Sequence, residues 1–144
     1  MKFTCTKTNF NNGINIALKA VPGKTTMPIL ECVVIEAKGD MVKLTTNDMQ
    51  LGIETKIPAE IEQDGIILVN AKMISEIVRR FPDDDVNFEV DENNNILLFC
   101  GKSKFNIPGI PHDEFPMLPK IEADKTIHIS QFTLKEIGRA SCRE

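Results

Sequence analysis

The stretch from Ile67 to Phe81 reads ILVNAKMISEIVRRF and holds a complete structural unit. Its first three residues are apolar, as in a buried strand, and Asn70 is a residue type that begins helices by accepting a backbone hydrogen bond. The apolar residues that follow recur at helical spacing: Met73, Ile74, Ile77, Val78 and Phe81. Pro82 and the acids after it end the pattern. The stretch therefore predicts a strand that leads directly into an amphipathic helix.

The same unit occurs near the start of the chain. Either Thr6 or Thr8 can cap its helix, and when Thr6 is aligned with Asn70, Phe3 matches Ile67 and Phe10 matches Ile74. A third copy begins at Ile127, with Ser130 as its cap. Each complete copy is followed by three predicted strands, at 29–37, 41–47 and 51–57, and at 86–90, 96–100 and 102–107. The sequence thus predicts an α+β fold of duplicated β-α-β-β-β half-domains, with two antiparallel helices packed on antiparallel sheets.

Two local patterns bear on the limits of these units. Asn12–Gly13 alone would predict a hairpin turn, but the flanking apolar residues recur at helical spacing, so we predict that the first helix continues to Ala20. After the strand at 102–107, prolines recur at positions that neither a helix nor a central strand tolerates. They are Pro108, Pro111, Pro116 and Pro119. We expect a semi-rigid connector to begin there.

Composition narrows the class of protein. With 144 residues, 42% of them hydrophobic, the chain can bury one good core, and we identify no apolar run of the length of a membrane span or signal peptide. Cys5, Cys32 and Cys100 lie in apolar strand-like runs, where buried free thiols are the ordinary interpretation. We expect a reducing, cytoplasmic location.

Charge is distributed unevenly along the chain, although the net charge is −4. Residues 1–30 contain four lysines and no acid, and residues 71–81 contain three bases and one acid. The segments 31–70 and 82–124 are strongly acidic. We predict that the two basic segments coincide with the two helices and that their exposed faces share one surface. Such a surface suits phosphate contacts that carry no sequence information.

Several motifs in the same order resemble the bacterial sliding clamp, the beta subunit of DNA polymerase III. They are MKFTCTKTNF at 1–10, TTMPIL at 25–30, LTTNDMQLGIET at 44–55, VNAKMISEIVRRFPD at 69–83 and GKSKFNIPGIPHDEFPMLP at 101–119. The resemblance implies a head-to-tail homodimeric ring with three similar domains per subunit. Helices would line a hole around double-stranded DNA, and DNA polymerase III and the clamp loader would be partners. It implies a non-catalytic processivity factor without a cofactor.

The resemblance also implies domain limits. Residues 1–122 would form the complete first domain, and residues 123–137 the linker and the start of a second one. The segment Gly138–Glu144 departs from the repeat, because Gly138 stands where the earlier copies have Ile14 and Val78. Back-translated, EIGRASCRE resembles read-through into a sequencing adapter. We therefore expect residues 138–144 to be a non-native tail.

Candidate DNA-binding residues follow from position and spacing. By the resemblance, Lys24, in the loop after the first helix, matches a DNA-contacting basic residue. Lys72 and Arg79 are seven residues apart and so share one face of the second helix. Arg80 is the fourth candidate, at the flank of that face. Alone, the chain is expected to bind DNA weakly and only at low salt.

The strand at 102–107 is the candidate dimer contact. The resemblance implies that it pairs with the third domain of a neighbouring subunit, through Lys102, Lys104, Phe105 and Ile107. An edge strand flanked by lysines is also typical of an edge protected against pairing. A rival interpretation is a non-DNA protein-interaction module that uses this edge.

Other polar clusters have ordinary interpretations. His112–Glu114 lies between prolines and is predicted to be a turn, and Asp83–Asp85 a solvated helix stop. The run from Asp91 lacks the glycine and glutamate of a calcium loop and is predicted to be a hairpin turn. His128 is predicted to be structural, within a strand. We expect no metal site and no catalytic residues.

Overall fold

The computed structural model describes residues 1–122 and 124–142, with only the backbone for 141 and 142. Nine strands and three α-helices are present in these ranges. The strands are β1 Lys2–Thr6, β2 Cys32–Lys38, β3 Met41–Asn47, β4 Gly52–Pro58, β5 Glu60–Gln63, β6 Gly65–Asn70, β7 Asp85–Val90, β8 Asn95–Cys100 and β9 Ser103–Pro108. The helices are α1 Lys7–Ala17, α2 Ala71–Arg80 and α3 Gln131–Cys142. No described helix is long and apolar enough to cross a membrane.

The strands form two antiparallel sheets that exchange elements between the two halves of the duplication. One sheet has the order β5-β1-β7-β8-β9, and the other β4-β3-β2-β6. The first strand of each half therefore pairs with the later strands of the other half, as β1 with β7 and β6 with β2. The predicted α+β architecture of duplicated half-domains is confirmed.

The first half contains one strand that the sequence prediction missed. Strand β5 reads EIEQ and pairs with β1, with Ile61 opposite Phe3. Its single apolar residue gives too little alternation to predict a strand. The predicted strand at 29–37 is also corrected: Pro28–Glu31 forms a 3-10 turn, and β2 begins at Cys32.

Both helices begin at the predicted caps. Thr6 Oγ1 accepts the N–H of Asn9 at 3.2 Å, and Asn70 Oδ1 accepts the N–H of Met73 at 2.9 Å. Helix α1 continues through Gly13 as predicted and ends at Ala17, followed by a 3-10 turn at Leu18–Ala20. The buried stripes of α1 and α2 face the sheets, and the two helices pack side by side.

The centre of the core is an aromatic cluster. Phe3 and Phe88 stack with ring centroids 4.8 Å apart, and Phe10 meets them edge-on at 6.1 and 6.2 Å. All three side chains are fully buried. Phe3 comes from β1, Phe10 from α1 and Phe88 from β7, so the cluster joins both halves.

The connector after β9 does not leave the domain at once but crosses the outer face of the second sheet. Ile110 exchanges two 2.9 Å backbone hydrogen bonds with Leu68 on the edge strand β6. Phe115 is buried against β2 and β6, and Asn47 Nδ2 on β3 donates to Pro116 O at 2.9 Å. Leu118 then lies against Gly52 on β4. The connector thus spans the sheet from one edge to the other.

The third copy of the repeat is only partly formed. The predicted strand at Ile127 is wrong, because residues 127–129 have no strand pairing and Ile127 is 90% exposed. His128 is exposed, so its predicted structural role is also wrong. Ser130 does cap α3, through the N–H of Thr133 at 3.1 Å. Helix α3 continues beyond Gly138 to Cys142, although residues after 138 lack an apolar stripe.

Candidate nucleic-acid interface

The exposed stripes of α1 and α2, with the turn and loop after α1, form a surface that we call the helix surface. On α1 the buried residues are Phe10, Gly13, Ile14 and Ala17. The residues exposed on α1 are Thr8, Asn12, Asn15 and Ile16, and those exposed on α2 are Lys72, Met73, Glu76, Arg79 and Arg80. Lys19 and Lys24, beyond the end of α1, complete the surface.

The α2 part of this surface is basic. Lys72 and Arg79 lie on the exposed stripe, as their spacing predicts, and Arg80 is exposed at the last residue of the helix. The partial negative charge at a helix C-terminus stabilises two arginines there. Within the described residues, none of these three cations forms an ion pair, and neither does Lys24. Their charges are therefore available to a ligand.

The α1 part differs from the prediction that the first basic segment is a helix. Of its four lysines, only Lys7 belongs to α1, where it is half-buried at the first position. Lys2 lies on β1 and forms ion pairs with Glu62 at 2.9 Å and Glu89 at 3.5 Å. The exposed stripe of α1 itself is uncharged. The prediction failed because charge was counted along the sequence and not by exposed face.

Lys19 is an exposed cation of this surface that the sequence interpretation did not select. It lies on the 3-10 turn Leu18–Ala20 and borders an open groove with Asn12, Asn15 and Ile16. The spacing of these four residues continues the exposed stripe of α1 beyond the helix end. That helical spacing could have identified Lys19 from the sequence.

The outer faces of the sheets carry acidic side chains, several of them in ion pairs. Lys43 on β3 lies 2.9 Å from Glu36 and 3.9 Å from Glu54, and the hydrogen bond that this lysine donates to Glu36 raises its pKa. The hydrogen bond that Lys2 donates to Glu62 likewise raises the pKa of Lys2. On the helix surface, by contrast, the exposed cations outnumber the exposed acids. An anionic ligand is attracted to the helix surface.

The candidate dimer contacts divide into exposed and buried residues. Lys104 and Phe105 are exposed on β9, with Phe105 37% exposed and its ring centroid 5.7 Å from that of Phe81. Lys102 is exposed but lies in the turn before β9 and not on the strand. Ile107 is only 7% exposed and packs in the core of its own domain, so it presents little apolar surface on β9.

Among residues 1–122 and 124–142, no group of three or more His, Cys, Asp or Glu side chains is arranged to hold a metal ion. Asp91 accepts the N–H groups of Asn93 and Asn95, which confirms the predicted hairpin turn. Cys5, Cys32 and Cys100 are free and buried, as predicted. Burial raises the pKa of Cys5 to about 12 and also raises that of Cys32 and Cys100. These thiols are protonated and poor nucleophiles at neutral pH.

Comparison with known proteins identifies similar chains. The family model described as "DNA polymerase III beta subunit, N-terminal domain" matches residues 1–119. The beta sliding clamp of Bacillus subtilis is 38% identical in an alignment that covers 96% of this chain and 39% of that protein. The beta sliding clamp of Staphylococcus epidermidis is 33% identical and covers 95% and 38%. The chain therefore spans about two fifths of the length of the curated relatives it matches.

Solved structures give the same result. The crystal structure of a putative DNA polymerase III beta subunit from Eubacterium rectale matches with a TM-score of 0.93 and 50% identity, over 96% of this chain and 38% of that one. The DNA polymerase sliding clamp from Bacillus subtilis matches with a TM-score of 0.93 and 37% identity, over 96% and 39%. Both likenesses cover the two-sheet domain and the connector.

Proposed function

The chain belongs to the DNA polymerase III beta subunit family, and from this premise we propose that it is the first domain of a sliding clamp. Such a ring surrounds double-stranded DNA without reading its sequence and tethers DNA polymerase III for processive synthesis. We further propose that residues 1–122 form this domain and that residues 123–137 begin a second. The match of the family model to residues 1–119 supports this division.

The observation that carries the proposal is the charge of the helix surface. The cations exposed there are Lys19, Lys24, Lys72, Arg79 and Arg80. The acids beside them are Glu76 on α2 and Asp83, which accepts a hydrogen bond from Thr8 on α1 at 3.4 Å. Long, flexible cations contact phosphates without a fixed geometry and so do not select a base sequence. We propose that these five residues supply the contacts of this domain with DNA.

Weak contacts suit a ring that moves along DNA. At physiological ionic strength exposed charges are screened beyond about 8 Å, so each cation acts only on the nearest phosphates. The phosphate repeat also offers nearly equivalent positions along the duplex. Retention would come from the closed ring, and the helix surface would keep the DNA centred without holding one site.

The assembly and its setting are part of the same proposal. We propose that β9 contributes to the head-to-tail contact of a homodimer, with Lys104 and Phe105 at the contact and Lys102 beside it. Ile107 would then act only by anchoring β9 to its own core. DNA polymerase III and the clamp loader would bind the assembled ring in the cytoplasm, and the domain itself would have no catalytic role.

A salt titration tests the DNA contact. The 144-residue chain and a fluorescent linear duplex are mixed at 50 to 200 mM salt, and anisotropy gives the dissociation constant. Binding should be weak at low salt and weaken steeply, because each contacted phosphate contributes about 0.9 to the slope of log K against log salt. Tight binding that persists at the upper salt concentration would contradict the proposal.

Charge reversal identifies the surface. Lys24→Glu, Lys72→Glu and Arg79→Glu together should abolish binding, while the matched reversal of the exposed Lys38, Lys56 and Lys120, off the helix surface, should leave most of it. In a full-length relative, the first set should impair processive synthesis and leave dimerisation intact. Equal effects of the two sets, or no effect of the first, would favour the rival function of a non-DNA interaction module.

A further inference from the structure

The connector, residues 109–118, is attached to the outer face of the second sheet and not to the main core. Its buried residue Phe115 packs with Val34 on β2 and Leu68 on β6. Val33, which alternates with Val34 along β2, belongs to the main core, so the two clusters lie on opposite faces of the sheet. The connector can therefore detach without exposing the main core.

At one end the connector is attached by backbone hydrogen bonds to the edge strand β6. Leu68 and Ile110 exchange two of them, each 2.9 Å long. Because the N–H of Leu68 is directed at Ile110, the N–H groups of β6 that bond to β2 are those of its neighbours Ile67 and Val69. These two sets of amides report separately on the connector and on the sheet.

At the other end the connector is attached by side chains to β3 and β4. Asn47 Nδ2 on β3 donates to Pro116 O at 2.9 Å. Leu118 packs so closely on Gly52 that a Cβ atom at this glycine would overlap it. Neither contact is part of the main core.

The attached connector also covers a hydroxyl group that lacks a partner. Thr45 lies on the outer face of β3, opposite Val34 and two residues before Asn47, and it is only 1% exposed. The connector contacts both of these neighbours and so passes over Thr45. Within the described residues Thr45 Oγ1 has no hydrogen-bond partner. Burial of such a hydroxyl raises the free energy of the attached state, whereas water can satisfy it once the connector leaves.

The connector is stiff along its length. Pro111 and Pro116 fix their own backbone angles, and between them the N–H of Phe115 donates to His112 O at 3.0 Å. These constraints are internal to the connector and remain when it leaves the sheet. A stiff segment loses its attachments together more readily than one by one.

We propose that the connector is a releasable strap: residues 110–118 detach from the outer face as one unit, while the sheets and helices stay folded. Gly109 remains the fixed end, because its N–H donates to Asn94 O at 2.8 Å and its close packing leaves no room for a Cβ atom. In the attached state the chain leaves the domain beside Gly52, and in the detached state it leaves at Gly109. A segment of this length spans up to about 30 Å when extended, so release changes where the chain beyond it can reach. This device goes beyond the proposed DNA contact and uses none of the helix surface.

Amide hydrogen exchange of the 144-residue chain, followed by NMR at increasing urea concentration, tests the release. The amides of Leu68 and Ile110 should be equally protected, and at least about tenfold less protected than those of Ile67 and Val69. Their exchange should depend little on urea, since release exposes less surface than unfolding does. Equal protection of all four amides, or clearly unequal protection of Leu68 and Ile110, would overturn the proposal.

Two neighbouring threonines provide a matched pair of variants. Thr45→Val removes the hydroxyl without a partner and should slow the exchange of Leu68 about tenfold. Thr46 Oγ1 donates to Ala17 O at 2.6 Å on the opposite face of β3. Thr46→Val weakens the attached and detached states equally, so it should speed the exchange of Val69 and leave that of Leu68 unchanged. Equal acceleration of both amides by Thr46→Val would show that Leu68 exchanges only by global unfolding, which would overturn the proposal.

An anchor variant separates release of the whole connector from local fraying at Leu68. Phe115→Ala should speed the exchange of Leu68 at least about tenfold, because its apolar contact is lost on release. If only the hydrogen bonds to Ile110 opened, this variant would leave the exchange of Leu68 unchanged, and that result would contradict the strap. Should Phe115→Ala fail to fold, Leu118→Ala at the far end of the connector makes the same distinction, with an expected acceleration of at least about threefold. The salt titration of DNA binding is independent of every one of these outcomes.

Discussion

The two halves of this domain share their elements but differ in how each helix meets its surroundings. Helix α1 has an uncharged exposed stripe and a glycine, Gly13, in close contact with the second sheet. Helix α2 has Ile77 at the equivalent position and exposes Lys72, Arg79 and Arg80. A duplicated fold can thus keep its core positions while one helix specialises in packing and the other in charge.

The shared core shows what the duplication had to retain. Phe3 and Ile67 lie at one position of the repeat, Phe10 and Ile74 at another, and all four are fully buried. The side chains at these positions differ in size between the two halves, but all of them are apolar. Exposed positions have no such packing constraint.

The largest expected difference between the halves concerns these core positions. Phe10→Ala should lower the free energy of unfolding by about 4 kcal/mol and Ile74→Ala by about 3 kcal/mol, since both leave cavities and only the first removes aromatic contacts. Urea denaturation measures both values. The exposed Ile16 provides the control: Ile16→Ala should change stability by less than about 0.5 kcal/mol. A smaller loss for Phe10→Ala than for Ile74→Ala would contradict the central role of the aromatic cluster.

A smaller effect should come from Gly13→Ala. A Cβ atom there would lie 2.8 Å from Ile57 Cγ2 and 2.9 Å from Leu44 Cδ1. Alanine improves helix propensity by about 1 kcal/mol, but overpacking costs about 1–3 kcal/mol, so we expect a net loss measurable by thermal melting. Gly23→Ala, where nothing lies within 4 Å of the new atom, is the matched control and should be nearly neutral. If Gly13→Ala stabilised the protein, the packing of α1 would not require the close approach of this helix to Ile57 and Leu44.

The smallest effect concerns two turns, one in each half. Backbone N–H groups of Leu51 and Gln50 lower the pKa of Asp48, and hydrogen bonds from the side chain and then the backbone of Asn95 lower that of Asp91. A carboxyl group whose pKa is lower in the folded protein than its unfolded value of about 3.9 stabilises the fold at pH above that value. This stabilisation is lost as the pH falls through the folded-state pKa.

Melting temperature measured from pH 6 to pH 2 should therefore fall below about pH 4, and less so in Asp48→Asn and Asp91→Asn. Asp64→Asn is the control, since within the described residues its carboxylate accepts no hydrogen bond and forms no ion pair. If Asp64→Asn reduced the fall in melting temperature at low pH as much as the two turn variants do, the hydrogen bonds to Asp48 and Asp91 would not be the cause of that fall.

Local signals were sufficient for most of the fold. The helix caps at Thr6 and Asn70 predicted both helix starts, and the repeat about them predicted the two-half architecture. The caps succeed because a side-chain oxygen and the first-turn N–H groups are neighbours in sequence. Strand β5 was missed because its pairing with β1 depends on tertiary contact and not on its own alternation.

The candidate site was predicted less completely. Spacing identified Lys72 and Arg79 because α2 is a regular helix, but Lys19 and the burial of Ile107 depend on where elements end and which face meets the core. The crossing of the outer sheet face by Phe115 was also unforeseen, since prolines indicate only that a regular element stops. Long-range packing decides these features.

Phe115 of the connector packs with Cys32, so the reactivity of this thiol depends on whether the connector is in place. Cys32, Val34, Leu68 and Phe115 form a small buried cluster that is separate from the main core. Cys5 and Cys100 lie inside the main core. A thiol reagent can reach Cys32 once the connector lifts, but reaches the other two only when the sheets separate. The rate of Cys32 alkylation therefore reports how often the connector detaches while the rest of the domain stays folded.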